Sequence, residues 1–310
     1  MIELRSLTKR YGSVAAVDDL SFTVQPGRVT GFLGPNGAGK TTTMRIILGL
    51  AAPTAGTALI GGRRYQRTLR PLGQVGSLLD ATALPGGRSA HDHLLSLALS
   101  NGIGRARVTQ MLELAGLTAV ATQRVGGFSL GMKQRLGIAA ALLGEPPVLL
   151  FDEPVNGLDT DGVRWIRQLL RELAADGRTV LVSSHLMSEM ELTADHLIII
   201  GRGRLLADLP ADRLTKSSAR ANVLVRSPRA DELATLLTAS GAAVTREDGG
   251  GLAVTGLDAP AIADLAAANG IAVHELVPRQ PSLEQAYLDL TAASVDYRAS
   301  AMPDELEASR

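Results

Sequence analysis

The sequence has no cysteine among its 310 residues, which excludes disulfide bonds, thiolate nucleophiles and cysteine-ligated metals. It also has no excess charge, because 31 Lys and Arg residues balance 31 Asp and Glu residues, so no overall field exists to hold DNA or an acidic membrane. No apolar run approaches the roughly 18 residues of a membrane-spanning helix, and the N-terminus lacks the apolar core of a signal peptide. We therefore expect a cytoplasmic protein that does not bind nucleic acid and reaches a membrane only through a partner.

The length and the apolar content, 45%, allow one large core and a second, smaller one, because domains usually have roughly 100–200 residues. The pattern predicts a large α/β domain over residues 1–214. Within it, leucine clusters between glycine-rich breaks predict a helical insertion at about 81–143. Residues 218–294 follow the order β-α-β-β-α-β, which is typical of a small α+β domain of the ferredoxin-like type. We expect the polar tail, 295–310, to be disordered.

A glycine-rich loop follows the predicted core strand Val29–Leu33 and opens a predicted helix, Thr41–Leu50. The loop fits the pattern G-x-x-x-x-G-K-[ST], in which glycines let backbone amides approach phosphates, the lysine supplies a positive charge and the hydroxyl can ligate Mg²⁺. The N-terminus of the helix adds positive potential. The predicted nucleotide-binding residues of this segment are Gly34, Pro35, Asn36, Gly37, Ala38, Gly39, Lys40, Thr41 and Thr42.

A pair of carboxylates, Asp152 and Glu153, ends the apolar run Val148–Phe151. Burying carboxylates at the end of a core strand is costly unless they handle a metal or a proton. Asp152 is suited to Mg²⁺, with Thr41 as a second ligand, and Glu153 is suited to the general base that activates water. The phosphate-binding loop alone does not distinguish kinases, GTPases and transport ATPases, but the loop and the carboxylates together indicate a nucleotide hydrolase.

A third motif, Phe128–Arg135, lies between the loop and the acidic strand. Ser129 is placed to cap a helix that runs through Leu143. Because the first amides of a helix are free, this helix start can bind an anion. Taken alone, such a serine more often only caps its own helix.

The motifs and their order resemble those of the ATP-binding cassette family over residues 1 to about 214. This resemblance implies a P-loop NTPase cassette with a mixed sheet core, an antiparallel β subdomain and a helical insertion, and it implies ATP and Mg²⁺ as cofactors. It also implies that Tyr11 stacks on adenine, that Asp159 belongs to the loop after the acidic pair, and that His185 contacts the γ-phosphate. Two chains would then pair, with the P-loop of one facing the Ser129 segment of the other, so that Ser129 and Gly131 contact the ATP held by the partner chain.

Two positions depart from the general family pattern. Asp80 stands where a glutamine usually senses the γ-phosphate and contacts the membrane partner, and an aspartate there is shorter and adds negative charge beside phosphate. Leu130 and Met132 replace the usual glycine and glutamine after Ser129. We keep Asp80 as a candidate ATP contact and a possible Mg²⁺ ligand.

Within that family, the single cassette, the Asp80 variant and the appended C-terminal domain resemble exporters of drugs, antibiotics or bacteriocins. This resemblance implies a separate membrane permease, a homodimer of cassettes and attachment to the cytoplasmic face of the membrane. Two alternatives stay open at this point. One is a non-transport cassette ATPase that acts on ribosomes or DNA, and the other is an ATPase regulated by a metabolite bound to the C-terminal domain.

Overall fold

The computed structural model describes residues 1–65, 70–184, 187–216, 222–247 and 249–279, together with Glu284 and Tyr287. The described residues divide into two compact units, one within 1–208 and the other within 209–289. The domain limits expected at 214 and 218 stay a prediction, and the tail 295–310 lies outside the described residues. Across those described ranges, no helix combines the length and the apolar character needed to cross a membrane.

The strands and helices that begin in the first unit include the predicted strand and helix on either side of the glycine-rich loop, the predicted acidic strand and the predicted helix after Ser129. The strands are Ile2–Tyr11 (β1), Val14–Val24 (β2), Arg28–Leu33 (β3), Ala55–Ile60 (β4), Val75–Leu78 (β5), Val148–Asp152 (β6), Thr179–Ser184 (β7), His196–Gly201 (β8) and Arg204–Pro210 (β9). The helices are Lys40–Ile47 (α1), Ala90–Ser100 (α2), Arg105–Leu114 (α3), Leu130–Leu142 (α4), Thr160–Ala175 (α5) and Met187–Glu191 (α6).

A six-stranded sheet with the order β5-β6-β7-β3-β8-β9 forms the centre of this unit. Strands β5, β6, β7, β3 and β8 run parallel to their neighbours. All six side chains of β7 are buried, as expected for a parallel strand covered on both faces. Because parallel strands end at one edge of the sheet, the loop after β3 and the carboxylates at the end of β6 meet there, with the end of β7 between them.

A second sheet is three-stranded and antiparallel, with the order β2-β1-β4. It packs into the same core as the central sheet, and the rings of Phe22 and Phe32 lie 5.4 Å apart between their centroids. Strand β4 was not predicted from the sequence, because its residues are mostly small. Gly56 has a φ of +77°, and a Cβ there would lie 2.1 Å from the Ser6 carbonyl oxygen, so only glycine fits.

The predicted helical insertion consists of α2, α3 and α4, with short 3₁₀ turns between them. Helix α4 packs closely on β5, because each element has a glycine where it contacts the other: Gly137 in α4 and Gly76 in β5. A Cβ on Gly137 would lie 2.5 Å from Leu78, and a Cβ on Gly76 would lie 2.0 Å from the Ala141 carbonyl oxygen. Helix α4, which begins directly after Ser129, therefore contacts the strand that precedes Asp80.

The second unit has the predicted β-α-β-β-α-β order. Its elements are Ala211–Lys216 (α7), Asn222–Arg226 (β10), Ala230–Ala239 (α8), Ala243–Arg246 (β11), Leu252–Thr255 (β12), Ala259–Ala268 (α9) and Glu275–Arg279 (β13). The sheet is antiparallel with the order β11-β12-β10-β13, which is the ferredoxin-like arrangement. Its core joins Val223, Val225 and Leu252 to residues of both helices, such as Leu233 and Ile262.

The sequence pattern predicts the last strand of this unit at 272–276, whereas in the structure this strand is Glu275–Arg279. The pairing with β10 extends to Pro278 and Arg279. Proline lowers strand propensity, but β13 is an edge strand, where a missing N–H is tolerated. The sequence also predicts a helix at 282–290, and almost all of that range lies outside the described residues.

Candidate nucleotide-binding site

The glycine-rich loop joins the end of β3 to the start of α1 and borders a cavity of about 300 Å³. Gly39 has a φ of +104°, and a Cβ there would lie 2.4 Å from the Ala16 carbonyl oxygen, so this position requires glycine. The loop therefore lies close against β2. The residues that line the cavity are Ala16, Pro35, Asn36, Gly37, Ala38, Gly39, Lys40, Thr41, Thr42, Leu79, Asp152 and Glu153.

Lys40 is only 8% exposed, and its ammonium group is held inside the loop. Its Nζ donates hydrogen bonds to the carbonyl oxygens of Gly34, at 2.5 Å, and Pro35, at 3.4 Å. Burial lowers the pKa of Lys40, and the nearby carboxylates of Glu153 and Asp152 oppose that shift. The loop thus holds a positive charge at the cavity, where an anionic phosphate would relieve its poor solvation.

Asp152 connects the loop to two strands of the central sheet. The Thr41 hydroxyl donates to Asp152 Oδ2 at 2.7 Å, and the Ser183 hydroxyl donates to Asp152 Oδ1. Two oxygen ligands suited to Mg²⁺ are therefore adjacent, although 111 positions separate them in the sequence. No group of three or more His, Cys, Asp and Glu in the described ranges forms a metal site. Mg²⁺ is commonly bound through one or two carboxylates together with substrate phosphates, and the Thr41–Asp152 pair offers oxygen ligands of that kind.

Glu153 has a backbone conformation that is rare for a residue with a side chain, with φ at +51°. Its N–H is shared between the carbonyl oxygen of Ser183, at 3.2 Å, and the Ser183 hydroxyl, at 3.1 Å. Its own carbonyl oxygen accepts a hydrogen bond from Gln134 Nε2 at 3.0 Å. Such strain persists where surrounding contacts enforce it, and it directs the Glu153 side chain to the cavity.

Ser183 and Gln134 contact the two carboxylate residues, and no motif in the sequence predicts these roles. Ser183 follows the apolar run Val180–Val182 in a strand that is buried throughout. Gln134 is 4% exposed and precedes a stretch of buried apolar residues in α4. A polar residue in a buried stretch needs a hydrogen-bond partner, and that requirement was the available signal.

The Ser129 segment lies against the loop after the acidic pair and does not line the P-loop cavity of its own chain. Ser129 caps α4, with its Oγ accepting from the Met132 N–H at 3.2 Å, as predicted. A Cβ on Gly131 would lie 2.7 Å from the Gly157 carbonyl oxygen. Asp159 caps α5 by accepting from the Gly162 N–H at 2.8 Å. These contacts give Ser129, Gly131 and Asp159 structural roles, and their contact with ATP stays a prediction.

Two other predicted residues, Tyr11 and Asp80, do not line the P-loop cavity. Tyr11 is 54% exposed, with the Lys9 ammonium 4.9 Å from its ring centroid. Asp80 accepts hydrogen bonds from the Thr82 N–H, at 2.7 Å, and the Thr82 hydroxyl, at 2.6 Å, and these lower its pKa. His185 lies outside the described residues. Asp80 thus caps a short 3₁₀ turn, while its neighbour in sequence, Leu79, lines the cavity.

The chain has relatives among known transport ATP-binding proteins. Residues 17–156 match the family model of the ABC transporter, and residues 221–284 match a domain of unknown function, DUF8746. The bacitracin transport ATP-binding protein BcrA of Bacillus licheniformis is 43% identical over 223 residues, which are 71% of this chain and 73% of that protein. The uncharacterized ABC transporter ATP-binding protein YhcH of Bacillus subtilis is 35% identical over 94% of this chain and 96% of its own length.

A solved structure shares the fold of the first unit. It is a dimeric ATP-binding cassette in a post-hydrolysis state with ADP and Pi, 25% identical to this chain, with a TM-score of 0.63 over 68% of this chain and 98% of that one. The identity and the coverage of BcrA and YhcH extend the agreement beyond the fold to the sequence. This chain belongs to the family of ABC transporter ATP-binding proteins.

Proposed function

We propose that this chain is the ATP-hydrolysing subunit of a bacterial exporter that removes a drug, antibiotic or peptide through a separate permease. The observation that carries the hydrolytic part is the convergence of Lys40, Thr41, Asp152 and Glu153 on one cavity. The transport part is supported by family membership and by BcrA, whose name assigns it to bacitracin transport.

The residues at the cavity have different roles in hydrolysis. The loop amides and Lys40 bind the phosphates of ATP, and Thr41 and Asp152 hold Mg²⁺. When bound, Mg²⁺ neutralises charge on the phosphates. Glu153 orients the attacking water and accepts its proton. Ser183 of β7 holds the Asp152 carboxylate by donating to it, and it holds the Glu153 backbone by accepting from the Glu153 N–H.

A second copy of the chain would complete each site. Ser129 and Gly131 lie at the start of α4 and outside the P-loop cavity of their own chain, so they are available to a nucleotide held by another chain. The dimeric cassette with ADP and Pi is a precedent for that arrangement. We infer a homodimer that closes on two ATP molecules and opens after hydrolysis.

A groove of about 530 Å³ beside Asp80 supports docking of the permease. It lies between β5 and helices α2 and α4, and apolar side chains such as Leu84 and Leu97 contribute to its lining. His93 lies in it with 7% exposure, and neither ring nitrogen has a hydrogen-bond partner within the described residues. Burial and, second, the nearby Arg88 lower the pKa of His93. A docked helix would fill this groove, and the chain would lie at the cytoplasmic face of the membrane.

Blocking that groove should uncouple the chain from its permease. Ala83 is exposed and lines the groove, so Ala83→Trp is expected to weaken permease binding about tenfold or more, because a large ring would occupy the docking volume. ATP binding by the chain alone should not change. Binding to the detergent-solubilised permease measures the effect. Ala106→Trp, at an exposed position of α3, is the matched control, and equal permease affinity of the two variants would contradict docking at the groove.

Asp80 is expected to affect coupling and not ATP binding. Asp80→Gln should leave the ATP dissociation constant unchanged and alter the ATP turnover that transport stimulates, because Asp80 adjoins the groove and does not line the P-loop cavity. Asp80→Asn removes the charge but keeps an oxygen that can accept from Thr82. Turnover by the reconstituted transporter distinguishes loss of charge from loss of the cap. If transport stimulates ATP turnover to the wild-type extent in both variants, Asp80 has no role in coupling.

Reconstitution tests the proposed function as a whole. The chain and the permease are reconstituted into inside-out vesicles. Uptake of labelled bacitracin and of candidate drugs is then measured in two conditions, with ATP only inside the vesicles and with ATP only outside them. Uptake that requires external ATP, and that Glu153→Gln abolishes, is the expected result. ATP hydrolysis that responds to ribosomes or DNA and not to the permease would instead favour the non-transport alternative.

A further inference from the structure

Gln134 is a buried amide that none of the predicted roles uses. It is 4% exposed, lies in α4 and does not line the P-loop cavity. Its Nε2 donates to the carbonyl oxygen of Glu153 at 3.0 Å, across 19 positions of the sequence. A polar side chain is buried at a cost unless its hydrogen bonds are made. Here one of those bonds ends on the backbone of the proposed general base.

The contact matters because the Glu153 backbone is held away from its preferred conformation. With φ at +51°, the residue would relax if either adjoining peptide group were free to rotate. The N–H is fixed by Ser183 from β7. The C=O accepts hydrogen bonds from Gln134 of α4 and from the Asn156 N–H in the loop that follows, and of these two donors Gln134 is the one that ties the C=O to α4. Rotation of either peptide changes the direction of the Cα–Cβ bond, and a carboxylate displaced by about 1 Å can lose much of its catalytic effect.

We propose that Gln134 is a positioning residue that holds the Glu153 backbone in its strained conformation and thereby aims the Glu153 carboxylate at the attacking water. This inference rests on the proposed ATPase function. Gln134 is part of the helix capped by Ser129, about one turn from its start. The orientation of the base therefore depends on where that helix lies.

The test is the rate constant for hydrolysis of ATP already bound to the full-length chain, measured in a single turnover. Gln134→Leu keeps the approximate volume and removes the donor, so the rate constant should fall about tenfold, as expected for a lost hydrogen bond that acts on the transition state. The ATP dissociation constant and the number of ATP molecules bound per chain should stay at wild-type values. A rate per bound ATP is insensitive to any fraction of unfolded chains.

Gln168→Leu is the matched control, because Gln168 is also helical but its amide meets the exposed Glu172 of the same helix. If Gln134→Leu does not bind ATP, Gln134→Asn is measured instead, since its shorter amide cannot reach the same carbonyl. Single-turnover rates equal to wild type in the variant that binds ATP would overturn the positioning role. Absence of hydrolysis by the wild-type chain, with and without the permease, would instead overturn the proposed ATPase function.

Discussion

The Glu153→Gln variant is expected to hydrolyse ATP about 10²–10⁴-fold more slowly than the wild-type chain, which is the usual contribution of a general base. The amide keeps the shape of the side chain but cannot accept the proton of the attacking water. ATP binding should survive, because the loop amides, Lys40, Thr41 and Asp152 are untouched. Phosphate release at saturating ATP measures the loss.

The same variant should accumulate as an ATP-bound dimer, because closure on ATP no longer leads to hydrolysis. Size-exclusion chromatography with and without ATP and Mg²⁺ would reveal the dimer. Glu113→Gln, an equivalent change at an exposed position of α3, should hydrolyse ATP normally and remain monomeric. Normal turnover in Glu153→Gln would mean that another group activates the water.

The second large effect is expected at Lys40, where Lys40→Ala should raise the ATP dissociation constant about tenfold or more. A hydrogen bond to a charged group contributes about 1.5–3 kcal/mol, and roughly 1.4 kcal/mol corresponds to a factor of ten in affinity. Titration of a fluorescent ATP analogue against the full-length chain provides the measurement.

Lys40→Met distinguishes loss of charge from loss of packing. Lys40 is only 8% exposed, so alanine leaves a gap in the loop, whereas methionine fills a similar volume without charge. Both variants should lose affinity, and Lys40→Met should retain more of the wild-type thermal stability. ATP affinity of Lys40→Met that matches wild type would show that the ammonium group does not contact the phosphates.

The parts of the site that the sequence predicted depend on local signals. The glycine loop must follow a strand and open a helix, and the cap at Ser129 needs only the residues beside it, so both can be read from short stretches. The carboxylates after β6 were predicted for the same reason, because an apolar run that ends in two acids is unusual.

The parts that the sequence did not predict depend on contacts between distant elements. Gln134 acts on the Glu153 backbone, and Ser183 acts on Asp152 from the neighbouring strand. Neither pairing is encoded in a local pattern. Strand β4 was missed because small residues give no clear alternation, and Asp80 was assigned by its motif position although its neighbour Thr82 accounts for its hydrogen bonds.

The order of the central sheet has a consequence for synthesis on the ribosome. Strand β7 lies between β3, which carries the P-loop, and β6, which carries Asp152, and it pairs with both. A nascent chain that has emerged only through residue 178 contains both motifs but lacks the strand that joins them. Since domains fold as units, the Thr41–Asp152 contact cannot form in its native setting before β7 has been added. The growing chain is therefore expected to become able to bind ATP late and in one step, after the P-loop and the Asp152 strand have both been synthesised.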